Sequence, residues 1–113
     1  MMVENITKKI MLADNCKVAD RFISRFIGLM GKQILHKSSG LLIVPCNSVH
    51  MFFMKFSLDI IFIDSKNTII HLIDNLKPWR VSPLIPGSRS VLELPSGTIE
   101  RTKTSIGDKL RFS

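Results

Sequence analysis

Short apolar runs separated by turn residues make up most of the chain. The runs are rich in Ile, Val, Leu and Phe, and Asp, Asn, Ser, Gly and Pro stand between them, a pattern typical of β-strands joined by turns. The Ser65-Lys66-Asn67 turn signal predicts a hairpin between two of these runs. The predicted strands are 6–13, 40–44, 49–54, 58–64, 68–73, 89–94 and 109–112.

One segment has a helical period instead. Apolar residues recur there at spacings of three and four positions, which predicts an amphipathic helix with one buried face. Asp20 is placed to cap this helix and Gly31 to end it. A short helical turn is predicted at 98–103, and prolines make 76–88 an irregular segment. The apolar stripe of the long helix consists of Val18, Phe22, Ile23, Phe26, Ile27 and Met30.

The predicted elements form one domain over residues 1–113, because no repeat, linker or low-complexity tract divides the chain. So apolar a sheet needs its edges covered, and closing the sheet on itself removes those edges. We therefore expect a mainly β (α+β) fold. Its predicted form is a small closed or half-closed β-barrel with one packed amphipathic helix and a short C-terminal helical turn.

Composition favours a folded protein in the cytoplasm. The 113 residues are 45% hydrophobic, and a mean hydropathy of +0.22 indicates enough apolar surface for a core. No apolar stretch approaches the ~20 residues that a membrane-spanning helix needs. Residues 1–9 contain no apolar region of the kind found in signal peptides. We expect a cytoplasmic protein that does not associate with membranes.

Positive charge exceeds negative charge, but the cations are scattered. The chain has 16 Lys and Arg against 9 Asp and Glu, a formal net charge of +7. A nucleic-acid-binding protein usually clusters its cations on one face with aromatic residues between them. The dispersed pattern predicts a solvated surface, with nucleic-acid binding that is only weak, nonspecific and lost by roughly 0.2 M salt.

The two cysteines are predicted to be free thiols, and no metal or cofactor is predicted. Cys16 and Cys46 form no CxxC pair, and a reducing compartment disfavours a disulfide between them. Cys46 and His50 could be proposed as metal ligands or as a catalytic dyad. Four residues of strand would separate them by ~13 Å, which is too far to bind one ion.

Four stretches spread over most of the chain resemble the signature of a prokaryotic family, domain of unknown function 192. They are GLM at 28–30, GLLIVP at 40–45, HMFFMKFSLDIIFID at 50–64 and VLELPSGT at 91–98, followed by GDKL. The resemblance implies the small β-rich domain of that family, described as a barrel with short helices. It implies no reaction, because the family lacks an established activity.

Charged residues inside otherwise apolar runs are the candidate site. A buried charge has to be paired or hydrogen-bonded. In one interpretation the group is structural: Lys55 pairs with Asp59 or Glu93, and Asp59 binds backbone amides at the 56–57 bend. In the other interpretation the group lines a pocket for a small polar ligand. The candidate pocket consists of Lys55, Asp59, Glu93, Trp79, Arg80, Phe53 and Met54.

The Trp79-Arg80 pair also has two interpretations. An exposed Trp beside an Arg can stack on a planar or sugar-like ligand or anchor a protein partner, whereas a buried Trp would form a lid over the core.

Three functional hypotheses follow, and the sequence favours the first. The first is a binding or accessory module for a small polar ligand, a peptide or a protein partner. The second is a hydrolytic enzyme using Asp59 and Glu93 as a carboxylate pair, and the third is a weak nucleic-acid binder. The chain has no Gly-x-Ser-x-Gly elbow, P-loop or dinucleotide-binding fingerprint, so catalysis by those routes finds no support. The sequence leaves the oligomeric state open.

Overall fold

Strands dominate the computed structural model, which describes residues 1–21, 29, 32 and 34–113. Eight strands and one short helix lie in this part of the chain. They are β1 (Val3–Asn5), β2 (Ile10–Ala13), β3 (Asn15–Ala19), β4 (Ser39–Ile43), β5 (Leu58–Ile63), β6 (Ile69–Leu76), β7 (Ser90–Pro95), α1 (Thr98–Thr102) and β8 (Leu110–Phe112).

The strands form two sheets. In the smaller sheet β1 lies between β2 and β8, and both pairings are antiparallel. The larger sheet has the order β3-β4-β7-β5-β6. Its pairings are antiparallel except for β3 with β4, which is parallel. Strands distant in sequence therefore meet at the centre of the larger sheet.

Both faces of the larger sheet are covered by apolar residues. All six residues of β5 are buried, as are the first five of β7, which is expected of strands with cores on both sides. One core cluster lies against the smaller sheet and includes Leu42, Leu92 and Ile61. The other lies on the opposite face and includes Leu41, Ile60 and further apolar residues from loops. Residues of one strand therefore alternate between two cores.

The predicted hairpin is confirmed. Strands β5 and β6 pair antiparallel, and the carboxylate of Asp64 accepts hydrogen bonds from the backbone N–H groups of Lys66 and Thr68, both at 2.9 Å. Asn67 has a φ of 61°, a left-handed conformation that Asn tolerates better than most residues. The predicted strands at β4, β7 and β8, the short helix and the irregular segment before β7 also match the structure.

Two predicted elements near the N-terminus are wrong in part. Of the strand predicted at 6–13, only 10–13 is a strand, β2. Residues 6–9 form a turn between β1 and β2, and at its start the side chain of Asn5 accepts a hydrogen bond from the N–H of Lys8. Val18 belongs to β3, which pairs with β4, and not to a helix. The rest of the predicted helical stripe, at 22, 23, 26, 27 and 30, and the predicted end at 31 lie outside the described residues.

The prediction of a strand at 49–54 is also wrong. This segment forms a loop whose single bridge joins His50 to Val81. Its apolar residues Val49, Met51 and Met54 are buried although their backbone is irregular. The apolar run therefore contributes to the core without pairing as a strand.

Two further observations concern the whole described part of the chain. No closed barrel is found among its strands, which form the two sheets, so barrel closure stays a prediction. None of its helices has the length and apolar character needed to cross a membrane.

Candidate functional site

Four aromatic rings form a cluster on two adjoining loops. The aromatic cluster consists of His50, Phe52, Phe53 and Trp79. The ring centroids of Phe53 and Trp79 are 4.8 Å apart in an edge-to-face arrangement, and those of Phe52 and Trp79 are 6.1 Å apart. His50 stacks on Phe52 at 5.0 Å. Phe53 is 60% exposed and Trp79 58% exposed, so both rings present apolar surface to solvent.

Backbone hydrogen bonds hold the two loops together. The N–H of Met51 donates to the carbonyl of Arg80, and the N–H of Trp79 donates to the carbonyl of Met51, both at 2.7 Å. Ser82 and Val49 are joined twice, once through backbone atoms and once through the Ser82 hydroxyl, both at 2.9 Å. Because Met51 and Val49 are buried, these bonds fix the exposed rings to the core.

Phe53 and Trp79 have left-handed backbone conformations. Their φ angles are 61° and 68°, a region that bulky side chains rarely adopt. Such conformations cost of order 1–3 kcal/mol and persist where the surrounding structure enforces them, often at functional sites. The two most exposed rings of the cluster are therefore held in backbone conformations that lower the stability of the fold.

Every formally charged residue in the two loops is a cation. Between 44 and 58 the charged residue is Lys55, and between 76 and 89 the charged residues are Lys77, Arg80 and Arg89. All four are exposed. Among the described residues, the ion pairs are Lys8 with Asp108 and Arg111 with Glu4, so the structure does not contain the predicted pairing of Lys55 with Asp59 or Glu93. The aromatic cluster thus lies in positively charged loops.

Backbone groups of two other elements surround the Asp59 carboxylate. Asp59 is fully buried, and its carboxylate accepts hydrogen bonds from the N–H of Asn75 at 2.9 Å and the N–H of Ile99 at 2.8 Å. Burial raises its pKa, and the backbone hydrogen bonds oppose that rise. Asp59 therefore joins the end of β6 to the first turn of α1. The sequence predicted that Asp59 binds backbone amides but placed them at the 56–57 bend.

Glu93 is buried on the other face of the sheet. It pairs across the ladder with Ile60, whereas Asp59 pairs with Leu94. Since neighbouring residues of a strand point to opposite faces, Asp59 and Glu93 point to different cores. Among the described residues, no hydrogen bond or ion pair reaches the Glu93 carboxyl, and burial raises its pKa to about 8. The two carboxylates do not meet at one opening.

The predicted site residues thus separate into two groups. Phe53 and Trp79 are in contact, and the exposed cations Lys55 and Arg80 lie next to them in sequence. Met54 is 6% exposed and belongs to the core, together with the two carboxylates. His50 and Phe52 were not predicted as site residues. The aromatic density of His50-Met51-Phe52-Phe53 was the signal that could have indicated them.

Cys46 and His50 make local hydrogen bonds with the backbone. The Cys46 thiol donates to the carbonyl of Ser48 at 3.0 Å, and Nδ1 of His50 accepts a hydrogen bond from the N–H of Phe52 at 3.2 Å. Within the described ranges, no group of three His, Cys, Asp or Glu side chains is arranged to hold a metal ion. Both cysteines are free thiols, and burial raises the pKa of Cys16 to about 11.

Comparison with known proteins gives the family. A family model described as Uncharacterized ACR, domain of unknown function 192, matches residues 3–112. The chain belongs to this family. Its motif at 50–64 covers three rings of the aromatic cluster and the whole of β5. The family is of unknown function, so the match establishes ancestry and fold.

Relatives of the domain of unknown function 192 match over nearly the full chain. A UPF0127 protein of Pyrococcus horikoshii is 34% identical and covers 98% of both chains, and one of Pyrococcus furiosus is 32% identical and covers 96% of both. A solved structure of a protein of unknown function from Novosphingobium aromaticivorans has a TM-score of 0.84 at 22% identity, covering 98% of this chain and 82% of that one. A proposed transcription regulator from Sinorhizobium meliloti has a TM-score of 0.81 at 26% identity, covering 97% and 89%.

Proposed function

We propose that this protein is a binding module that recognises a small anionic ligand with a planar or sugar-like ring. The observation that carries the proposal is the aromatic cluster. Phe52 and Phe53 contact Trp79, His50 stacks on Phe52, and backbone hydrogen bonds fix these loops to the core. The domain is proposed to use the barrel-like closure expected of its family as a rigid support for these loops.

The chemistry of the two loops supports this ligand class. Exposed aromatic faces stack on flat rings, and such stacking contributes ~1–3 kcal/mol per ring in nucleotide complexes. Lys55, Lys77 and Arg80 add positive charge without an acidic residue in either loop, and Arg in particular forms paired hydrogen bonds with carboxylate or phosphate. A ligand that combines a ring with a negative group therefore uses both features.

A hydrolase using Asp59 and Glu93 fits the geometry less well. A carboxylate pair has to flank the same bond of a substrate, with the two carboxyl groups ~5–10 Å apart across an open cleft. Here the two residues point to opposite faces of one sheet, and both are buried. Nucleic acid is a second candidate ligand. The net positive charge favours it, as does the description of the Sinorhizobium relative as a proposed transcription regulator. Nucleic-acid binding would weaken steeply with increasing salt, which distinguishes it from stacking on a small ligand.

Trp79 is the sole tryptophan, so its fluorescence reports directly on the proposed site. We expect adenosine monophosphate to change the Trp79 emission in a saturable manner, at concentrations up to about 1 mM. Adenosine, which lacks the charge, and inorganic phosphate, which lacks the ring, should bind more weakly. Arg80→Gln should weaken binding of adenosine monophosphate about three- to tenfold because it removes a charge-assisted contact.

Arg101→Gln is the matched control, because Arg101 is an exposed residue of α1 and its loss changes the net charge equally. It should bind like the wild type. No saturable response to adenosine monophosphate, or an equal response in the presence of adenosine alone, would contradict the proposal.

A further inference from the structure

A concavity lies on the larger sheet, beside the edge strand β3. It has a volume of about 630 Å³, within the range of ~300–1,000 Å³ typical of small-molecule sites. Ala19 and Leu41 contribute to its floor, and Leu29, Ile34 and Leu35 contribute to its walls. We call this concavity the basic groove. None of its described lining residues belongs to the aromatic cluster, so it is a separate site.

The lining of the basic groove is apolar, and part of it is open to solvent. Leu29 and Leu41 are each 7% exposed, so they form a dry base. Ile34 is 61% exposed and Leu35 is half-buried, and both line the same space. Large apolar side chains left in solvent around a concave apolar base indicate a binding surface more often than an isolated exposed residue does.

Every charged or titratable side chain among the described lining residues is basic. These residues are Lys17, Arg21, Lys32 and His36. Lys17 is the register partner of Leu41, so its side chain leaves β3 on the same face as the apolar floor. An apolar base with basic groups beside it complements a molecule that has an apolar part and a negative end.

We infer that the basic groove binds a free fatty carboxylate, with its alkyl chain against Leu29, Leu35 and Leu41 and its carboxylate beside Lys17 and Lys32. The volume accommodates a chain of medium length, and the basic residues account for the choice of an anionic head. A neutral apolar ligand would leave the cations unused, and a small polar anion would leave the apolar floor uncovered.

Titration calorimetry of the full chain with decanoate tests this inference. Decanoate should bind about tenfold more tightly than octanoate, because two additional methylene groups are buried at ~0.8 kcal/mol each. Decyltrimethylammonium, with the same chain and a positive head, should not bind measurably. Failure of decanoate to bind, or equal binding of the cationic analogue, would overturn the inference.

Charge variants locate the head group. The double variant Lys17→Gln/Lys32→Gln should weaken decanoate binding about fivefold or more. Lys66→Gln/Lys103→Gln removes the same charge from exposed residues outside the groove and should leave the affinity unchanged. Equal weakening in both double variants would assign the effect to net charge and overturn the inference. Retention by phosphatidylglycerol vesicles without decanoate binding would also overturn it, since that result indicates attraction to a lipid surface.

Discussion

Asp59 and Glu93 are both acidic residues in apolar strands, but among the described residues hydrogen-bond donors reach only Asp59. Two backbone N–H groups donate to Asp59, so its burial stabilises the junction of β6 with α1. In the part of the chain that is described, Glu93 has no such donor, and its burial favours the neutral acid. At the residue scale the two carboxyls therefore differ in role: Asp59 is an acceptor that organises backbone, and Glu93 is a proton-binding group in a core.

The raised pKa of Glu93 predicts that stability falls with increasing pH. In the folded protein its pKa is about 8, against an ordinary value of 4.5. Between these values the folded state retains a proton that the unfolded state releases, so the stabilisation is complete below about pH 4.5 and is lost as the pH rises through about 8. Urea denaturation from acidic to alkaline pH should show Glu93 contributing a slope of up to about −1.4 kcal/mol per pH unit in the free energy of unfolding.

Glu93→Gln should remove this contribution, because the amide cannot ionise. Glu100→Gln is the control, since Glu100 is exposed on α1, and it should retain the slope of the wild type. Parallel stability curves for Glu93→Gln and the wild type would show that Glu93 does not titrate as an isolated buried acid.

The sheet register explains why the carboxylates could not be placed from the sequence. Both residues lie in correctly predicted strands, but the face that each one occupies depends on which residues pair across the ladder. Asp59 pairs with Leu94 and Ile60 with Glu93, and a shift of one residue would place both carboxyls on the same face. No local pattern in the sequence encodes that register.

At the scale of elements, the two loops were less predictable than the strands. β5 and β7 were predicted because long apolar runs are typical of strands buried on both faces. The run at 49–54 is equally apolar, but its backbone bonds with the loop around Trp79 replace a ladder. The contact between Phe53 and Trp79 spans 26 positions in sequence, and it depends on those bonds. The sequence could therefore indicate Trp79 and Phe53 separately as site residues, but not the cluster that they form.

The left-handed conformation of Phe53 can be tested by comparing two small substitutions. Phe53→Ala and Phe53→Gly remove the same ring, but only glycine adopts positive φ without a steric cost. We expect the free energy of unfolding of Phe53→Gly, measured by chemical denaturation, to be about 1 kcal/mol higher than that of Phe53→Ala.

At Phe52 the order should reverse. Phe52 is not among the residues with positive φ, so glycine gains nothing there and loses more conformational entropy on folding. Phe52→Ala should be the more stable variant by ~0.5–1 kcal/mol. The same order of stability at both positions would contradict the assigned backbone conformation of Phe53.

At the scale of the whole molecule, the two sheets connect distant parts of the chain and leave the aromatic loops outside the ladders. β1 pairs with β8, and Met2 and Ser113 exchange two backbone hydrogen bonds at 2.7 and 3.0 Å. The buried Asn5 side chain donates to Asp108 at 2.9 Å, and Lys8 pairs with the same carboxylate. This polar network stabilises the scaffold that supports the aromatic loops and the basic groove, which are separate surfaces.

The location of ligand binding tests the account most directly. In a two-dimensional ¹H–¹⁵N spectrum of the full chain, titration with adenosine monophosphate should shift amide signals from residues 50–55 and 77–81, which carry the aromatic cluster and its neighbouring cations. Signals from β5 and β7 around Asp59 and Glu93 should stay in place, and the Asp74→Asn variant, which changes an exposed carboxylate, should give the same pattern as the wild type. Shifts centred on Asp59 and Glu93, with none at Phe53 and Trp79, would contradict the assignment of the binding site to the aromatic loops.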